Sequence, residues 1–81
     1  MFTLNFDTYY GDDVDDAKGD ANVRATTARF GGIVRGFVRN GPAGGNPNYA
    51  IDFADREIAR AFLIELHGEG DPSVTDFDAV Y

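Results

Sequence analysis

An amphipathic segment at residues 55–67 limits the folds open to this chain, because a helix with a single apolar stripe needs another surface to cover that stripe. Five apolar side chains fall at helical spacing and make up the stripe: Ile58, Ala59, Phe62, Leu63 and Leu66. Asp52 and Asp55 place negative charge at the start of the helix, where free amides and the macrodipole favour it. Gly68 is a typical residue for its end. The segment therefore predicts one helix packed on another element.

Alternating apolar and polar residues predict β-strands on both sides of this helix. Residues 2–6, with the sequence FTLNF, place three large apolar side chains on one face of a half-buried strand. Residues 49–53, with the sequence YAIDF, alternate in the same way. Residues 75–81 predict a last strand that carries Asp76 and Asp78 on its outer face.

Residues 20–39 allow two interpretations. In the first, which we prefer, Gly31 and Gly32 form the turn of a β-hairpin, because glycine tolerates the positive φ angles of a type I′ turn. The β-branched side chains around this pair favour strands. In the second interpretation, Asp20 caps a helix over residues 20–30 and Gly31 ends it.

Together these elements predict a single α+β domain covering residues 1–81. Its architecture would be a small antiparallel sheet of four to five strands with one helix, residues 55–67, packed on it. If residues 20–30 are helical, the order becomes β-α-β-β-α-β, which is ferredoxin-like. The sequence contains no cysteine, so neither disulfides nor thiolate metal sites can add to the stability of its core.

Charge is distributed unevenly along the sequence, whose formal net charge is −7. Residues 1–20 hold six aspartates and one lysine, and residues 21–51 hold four arginines and no acid. The segment from Glu65 onward holds five acids and neither Lys nor Arg. The net charge opposes direct nucleic-acid binding, because that affinity depends on neutralising phosphates. It instead favours a partner with a basic surface.

The most concentrated acidic segment is DDVDDAKGD, residues 12–20, with five aspartates in nine positions. An EF-hand loop needs ligand oxygens at positions 1, 3 and 5 and glycine at position 6. With Gly19 at position 6, Val14 would occupy position 1 and would offer no ligand. We therefore predict no metal site. The segment is interpreted as a solvated loop or as a surface that imitates the closely spaced phosphates of DNA.

These features favour a small acidic protein-binding module that acts as an inhibitor or adaptor. It would occupy a basic site on a larger protein, for which a nucleic-acid-binding protein is one candidate. One of two adjacent tyrosines would lie outside the core and serve as an aromatic anchor. The candidate partner-binding residues are Tyr9, Tyr10, Asp12, Asp13, Asp15, Asp16, Asp76 and Asp78. In size and charge the chain resembles phage-encoded inhibitors of host defence, including anti-CRISPR proteins, and this resemblance implies the host cytoplasm as its location.

The alternative function is nucleic-acid or ligand binding through a strand at residues 33–39. Strand parity places Arg35, Phe37 and Arg39 on one side of this strand. Aromatic and arginine side chains together can stack bases and hold phosphates. These three residues are therefore the alternative candidate site.

Two segments resemble the RNA-recognition motif family. RGFV, residues 35–38, is similar to part of a strand typical of that family, and residues 49–68 are similar to the strand and helix of its second half. Val38 and Arg39 stand where the family has a glycine followed by an aromatic residue. The resemblance implies a ferredoxin-like fold and RNA binding on the sheet.

Catalytic residues are scarce. His67 is the only histidine and Ser73 the only serine, and their spacing does not indicate a nucleophile with a base and an orienting acid. We therefore predict no enzyme activity and no cofactor. No segment approaches the ~18 apolar residues of a membrane span, and the N-terminus lacks the pattern of a signal peptide, so a cytoplasmic protein is expected. Self-association, with the basic middle of one copy against the acidic ends of another, is a further alternative.

Overall fold

The computed structural model describes residues 1–39, 45–75 and 77. In chain order its elements are β1 (Phe2–Asp7), α1 (Asp16–Arg29), β2 (Ile33–Val38), β3 (Asn48–Phe53), α2 (Arg56–His67) and α3 (Pro72–Thr75). Within these ranges no helix has the length and apolar character needed to cross a membrane. The α+β class predicted from the sequence is confirmed.

The three strands form one antiparallel sheet in the order β1-β3-β2. In the central strand, Ile51 has Leu4 of β1 as its partner on one side and Val34 of β2 on the other. Because side chains alternate along a strand, Tyr49 and Ile51 share one face of β3, and both are fully buried. The core of the protein lies on this face.

The helix predicted at residues 55–67 is confirmed as α2, and its apolar stripe fills the centre of the core. Asp55 is its N-cap and accepts a hydrogen bond from the Ile58 amide at 2.9 Å. The ring of Phe62 is fully buried, with its centroid 5.0 Å from that of Phe53 and 5.6 Å from that of Phe6. Aromatic pairs of this kind contribute about 0.5–1.5 kcal/mol beyond the area they bury.

Residues 16–29 form a helix, so the hairpin predicted around Gly31 is wrong. The helix also begins earlier than the second interpretation places it, because its N-cap is Asp15 and not Asp20. Oδ1 of Asp15 accepts a hydrogen bond from the backbone amide of Lys18 at 2.8 Å. Most of the acidic segment therefore belongs to the start of a helix and not to a loop.

The glycine pair ends α1 in a Schellman motif instead of forming a hairpin turn. Gly32 donates its amide hydrogen to the Thr27 carbonyl at 2.9 Å, and Gly31 donates to the Ala28 carbonyl at 3.1 Å. Gly31 has a φ angle of +70°, which favours glycine. The hydroxyls of Thr26 and Thr27 donate to carbonyls four residues earlier, which accommodates these β-branched residues within the helix.

The prediction of four to five strands is wrong for the described part of the chain, where the sheet has three. One predicted strand is absent because α1 replaces the hairpin. The predicted last strand, residues 75–81, does not begin where we expected, because residues 72–75 form α3. Residues 76 and 78–81 of that prediction lie outside the described residues. The element order up to α2 is that of the ferredoxin-like alternative, but α3 follows where that fold has a fourth strand.

Candidate functional site

Acidic side chains from separate elements gather at one end of the sheet, which we call the acidic end. Here β1 and β2 finish, β3 starts, α1 begins and α2 ends. Of the described residues, seven acids lie at the ends of these elements or in the connections between them: Asp7, Asp12, Asp13, Asp15, Asp16, Glu69 and Asp71. Lys18 and Arg39 are the cationic residues that the same part of the structure places there. The topology thus joins acidic residues from both halves of the sequence.

Two aspartates of the acidic segment serve the fold itself. Asp15 caps α1, as described above. Asp20 accepts hydrogen bonds from Nε of Arg24 at 2.9 and 3.0 Å and from the Tyr49 hydroxyl at 2.7 Å. Burial, together with hydrogen bonds to Tyr10 and Asp20, raises the pKa of Tyr49 far above its ordinary value. Tyr49 therefore stays protonated and ties α1 to the central strand.

Asp12, Asp13 and Asp16 are exposed carboxylates of the acidic end. Asp12 accepts a hydrogen bond from the hydroxyl of Tyr9, and this bond raises the pKa of Tyr9. Oδ2 of Asp16 lies 4.0 Å from Nε of Arg39, an exposed ion pair that contributes little to stability. These three carboxylates and Tyr9 form the part of the acidic end that is open to a partner.

The two adjacent tyrosines have different environments. Tyr9 is 63% exposed, whereas Tyr10 is partly buried and its hydroxyl is hydrogen-bonded to that of Tyr49. The ring of Tyr10 packs on α1 at Gly19, where any Cβ would collide with it. Of the two candidate anchors, Tyr9 is therefore available to a partner and Tyr10 holds the β1–α1 connection in place.

A cleft beside Tyr9, which we call the Tyr9 groove, separates the β1–α1 connection from the end of α2. Its outer part has a volume of about 420 Å³, and its other lining residues include Asp7, Asn46 and Asp71. Its inner part has a volume of about 240 Å³ and reaches Val23 of α1. Four residues border both parts: Thr8, Tyr9, Leu66 and His67.

His67 lies at the floor of the Tyr9 groove, with its side chain 14% exposed. Its Nε2 is 2.9 Å from the hydroxyl of Thr8, and its Nδ1 is 3.9 Å from Oδ1 of Asp71. Burial lowers the pKa of His67, and Asp71 opposes this effect in part, so the ring is neutral at pH 7. The order of hydroxyl, imidazole and carboxylate is that of a catalytic triad, but Thr8 is buried and the distance to Asp71 exceeds a hydrogen bond.

The Tyr9 groove is negatively charged at neutral pH. Asp7 and Asp71 line it, and neither Lys nor Arg is among the described residues that do so. Within the described ranges there is also no group of three or more His, Asp or Glu side chains that could hold a metal ion. The groove thus combines two carboxylates, the aromatic side chain of Tyr9 and an apolar wall at Leu66.

The alternative site on β2 does not have the geometry predicted for it. A β-bulge between Val34 and Gly36 changes the parity of the strand. Arg35 therefore lies on the open face of the sheet, while Phe37, opposite Tyr49, lies on the face covered by the helices. The prediction that these side chains share one face is wrong.

The arginines near β2 contact side chains of the chain itself. Arg35 is hydrogen-bonded to Asp52, which also accepts a hydrogen bond from Thr3 at 2.6 Å. The guanidinium of Arg24 lies 5.6 Å from the ring centroid of Phe37, and Arg39 faces Asp16. Each of these side chains therefore has a contact within the chain itself, although both Arg35 and Arg39 are largely exposed.

Sequence reasoning missed the Tyr9 groove. Thr8 and His67 are 59 residues apart, and no local pattern connects them. His67 has a simple interpretation as a polar residue at the end of a helix, and Asp71 as part of an acidic tail. Asp76 and Asp78, which were candidate partner-binding residues, lie outside the described residues.

Comparisons with protein-family models, with characterised proteins and with solved structures find no match to this chain. No family model therefore supports the resemblance of residues 35–38 and 49–68 to the RNA-recognition motif. The function has to be inferred from the acidic end and the Tyr9 groove.

Proposed function

We propose that the protein is an acidic binding module that occupies a basic site on a larger protein as an inhibitor or adaptor. The observation that carries the proposal is the position of exposed carboxylates around an exposed aromatic ring at one end of the fold. Tyr9 is the anchor, and Asp12 and Asp13 are the charges next to it. Tyrosine is enriched among the residues that dominate binding energy, and surface charge steers association.

In this proposal the partner's basic site is one that otherwise binds nucleic-acid phosphates. Exposed carboxylates can compete with phosphates for the same Arg and Lys side chains. A module with this action would be a DNA mimic, as phage-type inhibitors of host defence can be. Arg35 and Phe37 lie on opposite faces of the sheet, and the net charge is −7. Both observations favour the acidic binding module over direct nucleic-acid binding.

The test is a pull-down from a lysate of the source organism at low and at high salt. The test variant carries Asp12→Asn and Asp13→Asn, which leave the cap at Asp15 intact. The matched control carries Glu57→Gln and Glu65→Gln in α2. These substitutions remove the same amount of charge from a part of the surface that does not include Tyr9. Both double variants have the same net charge, so a difference between them reports position and not total charge.

We expect the wild type and the control to capture the same partner and the test variant to capture much less of it. Capture should fall at high salt, because exposed charges are screened. Added duplex DNA should release the partner if the basic site binds phosphates. Equal capture by all three proteins, or capture that is insensitive to salt, would refute the proposal.

A further inference from the structure

We propose that two copies of this chain pair through their β2 strands in antiparallel orientation and join their sheets into one sheet of six strands. The inference goes beyond the proposed function and does not depend on it. A two-fold axis between the paired strands would relate the copies, so their acidic ends would lie at opposite ends of the dimer.

The strand β2 lies at an edge of the sheet, with β3 as its neighbour. Within the described residues, none of the backbone hydrogen bonds of turns, loops and caps involves residues 33–38. An edge strand presents backbone donors and acceptors along its outer side, and another strand can pair with them. The outer side of β2 is therefore a surface on which the sheet can be extended.

Exposed apolar side chains are concentrated on this strand. Ile33 is 62% exposed, Val38 is 52% exposed and Phe37 is 39% exposed. Ile33 and Val38 lie on the open face of the sheet. The opposite edge strand, β1, presents Thr3 and Asn5 on that face. Of the two edges, β2 is thus the one whose apolar side chains would gain from being covered.

The β-bulge determines the register in which two identical β2 strands can pair. Because of the bulge, Arg35 and Gly36 both lie on the open face. Directly opposed residues of an antiparallel pair share a face, so a regular strand cannot pair with its own copy about a point midway between two residues. The bulge permits this centre between Arg35 and Gly36, and all of residues 33–38 are then paired.

This register gives compatible neighbours on both faces. On the open face, Ile33 lies opposite Val38 of the second copy, and each Arg35 lies opposite a glycine and not opposite its own copy. On the face covered by the helices, Val34 lies opposite Phe37 of the second copy. Apolar pairs across neighbouring strands each contribute roughly 0.2–1 kcal/mol, whereas like charges directly opposite each other are unfavourable.

The same pairing would bring the two α1 helices side by side. α1 extends over both β3 and β2, because Asp20 accepts a hydrogen bond from Tyr49 and the guanidinium of Arg24 lies 5.6 Å from the ring centroid of Phe37. Strands of a sheet are about 4.8 Å apart. Two helices that each cover two strands would therefore have axes about 10 Å apart, which is a packing distance for helices.

The charges of α1 favour a second copy as the occupant. Its N-cap and first half carry three aspartates and one lysine, whereas residues 21–29 carry Arg24 and Arg29 and no acid. In an antiparallel pair, the acidic half of each helix lies beside the basic half of the other. Arg24 and Arg29 have carboxylate partners within their own chain, but both remain exposed and can be shared between two acids. Such complementarity fixes orientation and disfavours a parallel pair.

The experiment measures self-association of the full chain by sedimentation equilibrium. We expect a monomer–dimer equilibrium with a dissociation constant on the order of 10–100 µM, because one strand and one helix flank form a small interface. Hydrogen exchange is followed by NMR at concentrations below and above this value. The outward amides of residues 33–38 should be protected only where the dimer forms.

Two exposed valines provide a matched pair of variants. Val38→Glu places a charge in the interface and should raise the dissociation constant about tenfold or more. Val14→Glu makes the same change at an exposed valine outside β2 and should have little effect. Urea denaturation checks that each variant is folded.

A set of double variants tests the register. Ile33→Lys with Val38→Glu places opposite charges across from each other and should associate more tightly than Val38→Glu alone. Ile33→Glu with Val38→Glu, and Ile33→Lys with Val38→Lys, place like charges there and should both be monomeric. Because these two variants differ in the sign of the added charge, total charge cannot explain a loss of the dimer in both.

Four results would overturn the inference. These are a wild type that stays monomeric, equal effects of Val38→Glu and Val14→Glu, and an opposite-charge variant that associates no better than the like-charge variants. The fourth is protection of the outward β2 amides in the monomer, which would show that another part of the same chain occupies this edge.

Discussion

The ring of Tyr10 lies so close to the backbone of Gly19 that a Cβ built on this glycine would be 2.1 Å from Cγ of the ring. The contact fastens the β1–α1 connection to the helix that follows it. Because Tyr10 faces inward here, its neighbour Tyr9 is directed outward. The glycine of the acidic segment therefore has a structural role in presenting the acidic end.

Replacing Gly19 by alanine should destabilise the protein, although alanine is the better helix former by about 1 kcal/mol. The added Cβ collides with the Tyr10 ring, and such overpacking costs about 1–3 kcal/mol, to which the weakened hydrogen bond to Tyr49 adds about 1 kcal/mol. Urea denaturation should show a net loss of about 1–3 kcal/mol. Gly70→Ala is the control, since a Cβ there meets nothing within 4 Å. An unchanged or higher midpoint for Gly19→Ala would contradict the packing described here.

Asp15 should contribute to stability through its side-chain oxygen and not through its charge alone. Asp15→Ala leaves the Lys18 amide without its partner, and we expect a loss of about 1 kcal/mol in the free energy of unfolding. Asp15→Asn should cost much less, because asparagine caps helices about as well. Asp13→Ala, at an exposed position, should change the free energy of unfolding by less than about 0.5 kcal/mol. Equal losses for Asp15→Ala and Asp13→Ala would show that Asp15 is not the cap.

Lowering the pH should destabilise the fold through His67. Its pKa in the folded protein lies below the ordinary value of 6.5, because burial disfavours the charged ring. The contribution of His67 to stability is therefore complete above pH 6.5 and is lost as the pH falls through the folded pKa. NMR titration of the ring should give a pKa below 6.5, and thermal unfolding should show a decline in stability over that range. The loss of stability on lowering the pH should be smaller in the His67→Gln variant. An equal loss in the variant would show that groups other than His67 cause it.

Asp52 should keep its carboxylate ionised to a lower pH than an ordinary aspartate. The hydrogen bond from Thr3, followed by that from Arg35, lowers its pKa below the ordinary 3.8. Its contribution to stability is thus present above pH 3.8 and is lost as the pH falls through the folded pKa. In Thr3→Val the carboxyl resonance of Asp52 should titrate closer to 3.8, measured by carbon-13 NMR. Thr75→Val, at an exposed site, should leave this titration unchanged.

The elements that could be predicted from sequence are those with one apolar face and clear end signals. The stripe of α2 and the alternating residues of β1 and β3 each form one apolar face that is buried. The spacing of the apolar residues predicts the type of element, and the apolar face predicts which side packs on the core. The helix α1 has no such stripe, and Thr26 and Thr27 favour a strand on propensity alone. Their hydroxyl bonds to the preceding turn form only within a helix, and the contact between Tyr10 and Gly19 is tertiary, so strand propensity reflects neither.

The candidate site was predictable only in part. The sequence predicts that one of the two adjacent tyrosines lies outside the core near Asp12 and Asp13, and the structure shows that it is Tyr9. The contact between Thr8 and His67 depends on how α2 ends against β1, which no local pattern encodes. On β2, the bulge at Arg35 broke the parity on which the predicted arginine and phenylalanine face was based.

The hydrogen bonds that join Tyr10, Tyr49 and Asp20 also affect how the acidic end can bind. They attach the β1–α1 connection, through Tyr10, and the first half of α1, through Asp20, to the central strand. Ordering a mobile side chain at an interface costs about 0.5–1.5 kcal/mol, and here part of that ordering has already taken place during folding. In the proposed function, encounter with the partner would then depend on diffusion and charge steering and not on the time that a loop needs to fold onto its partner.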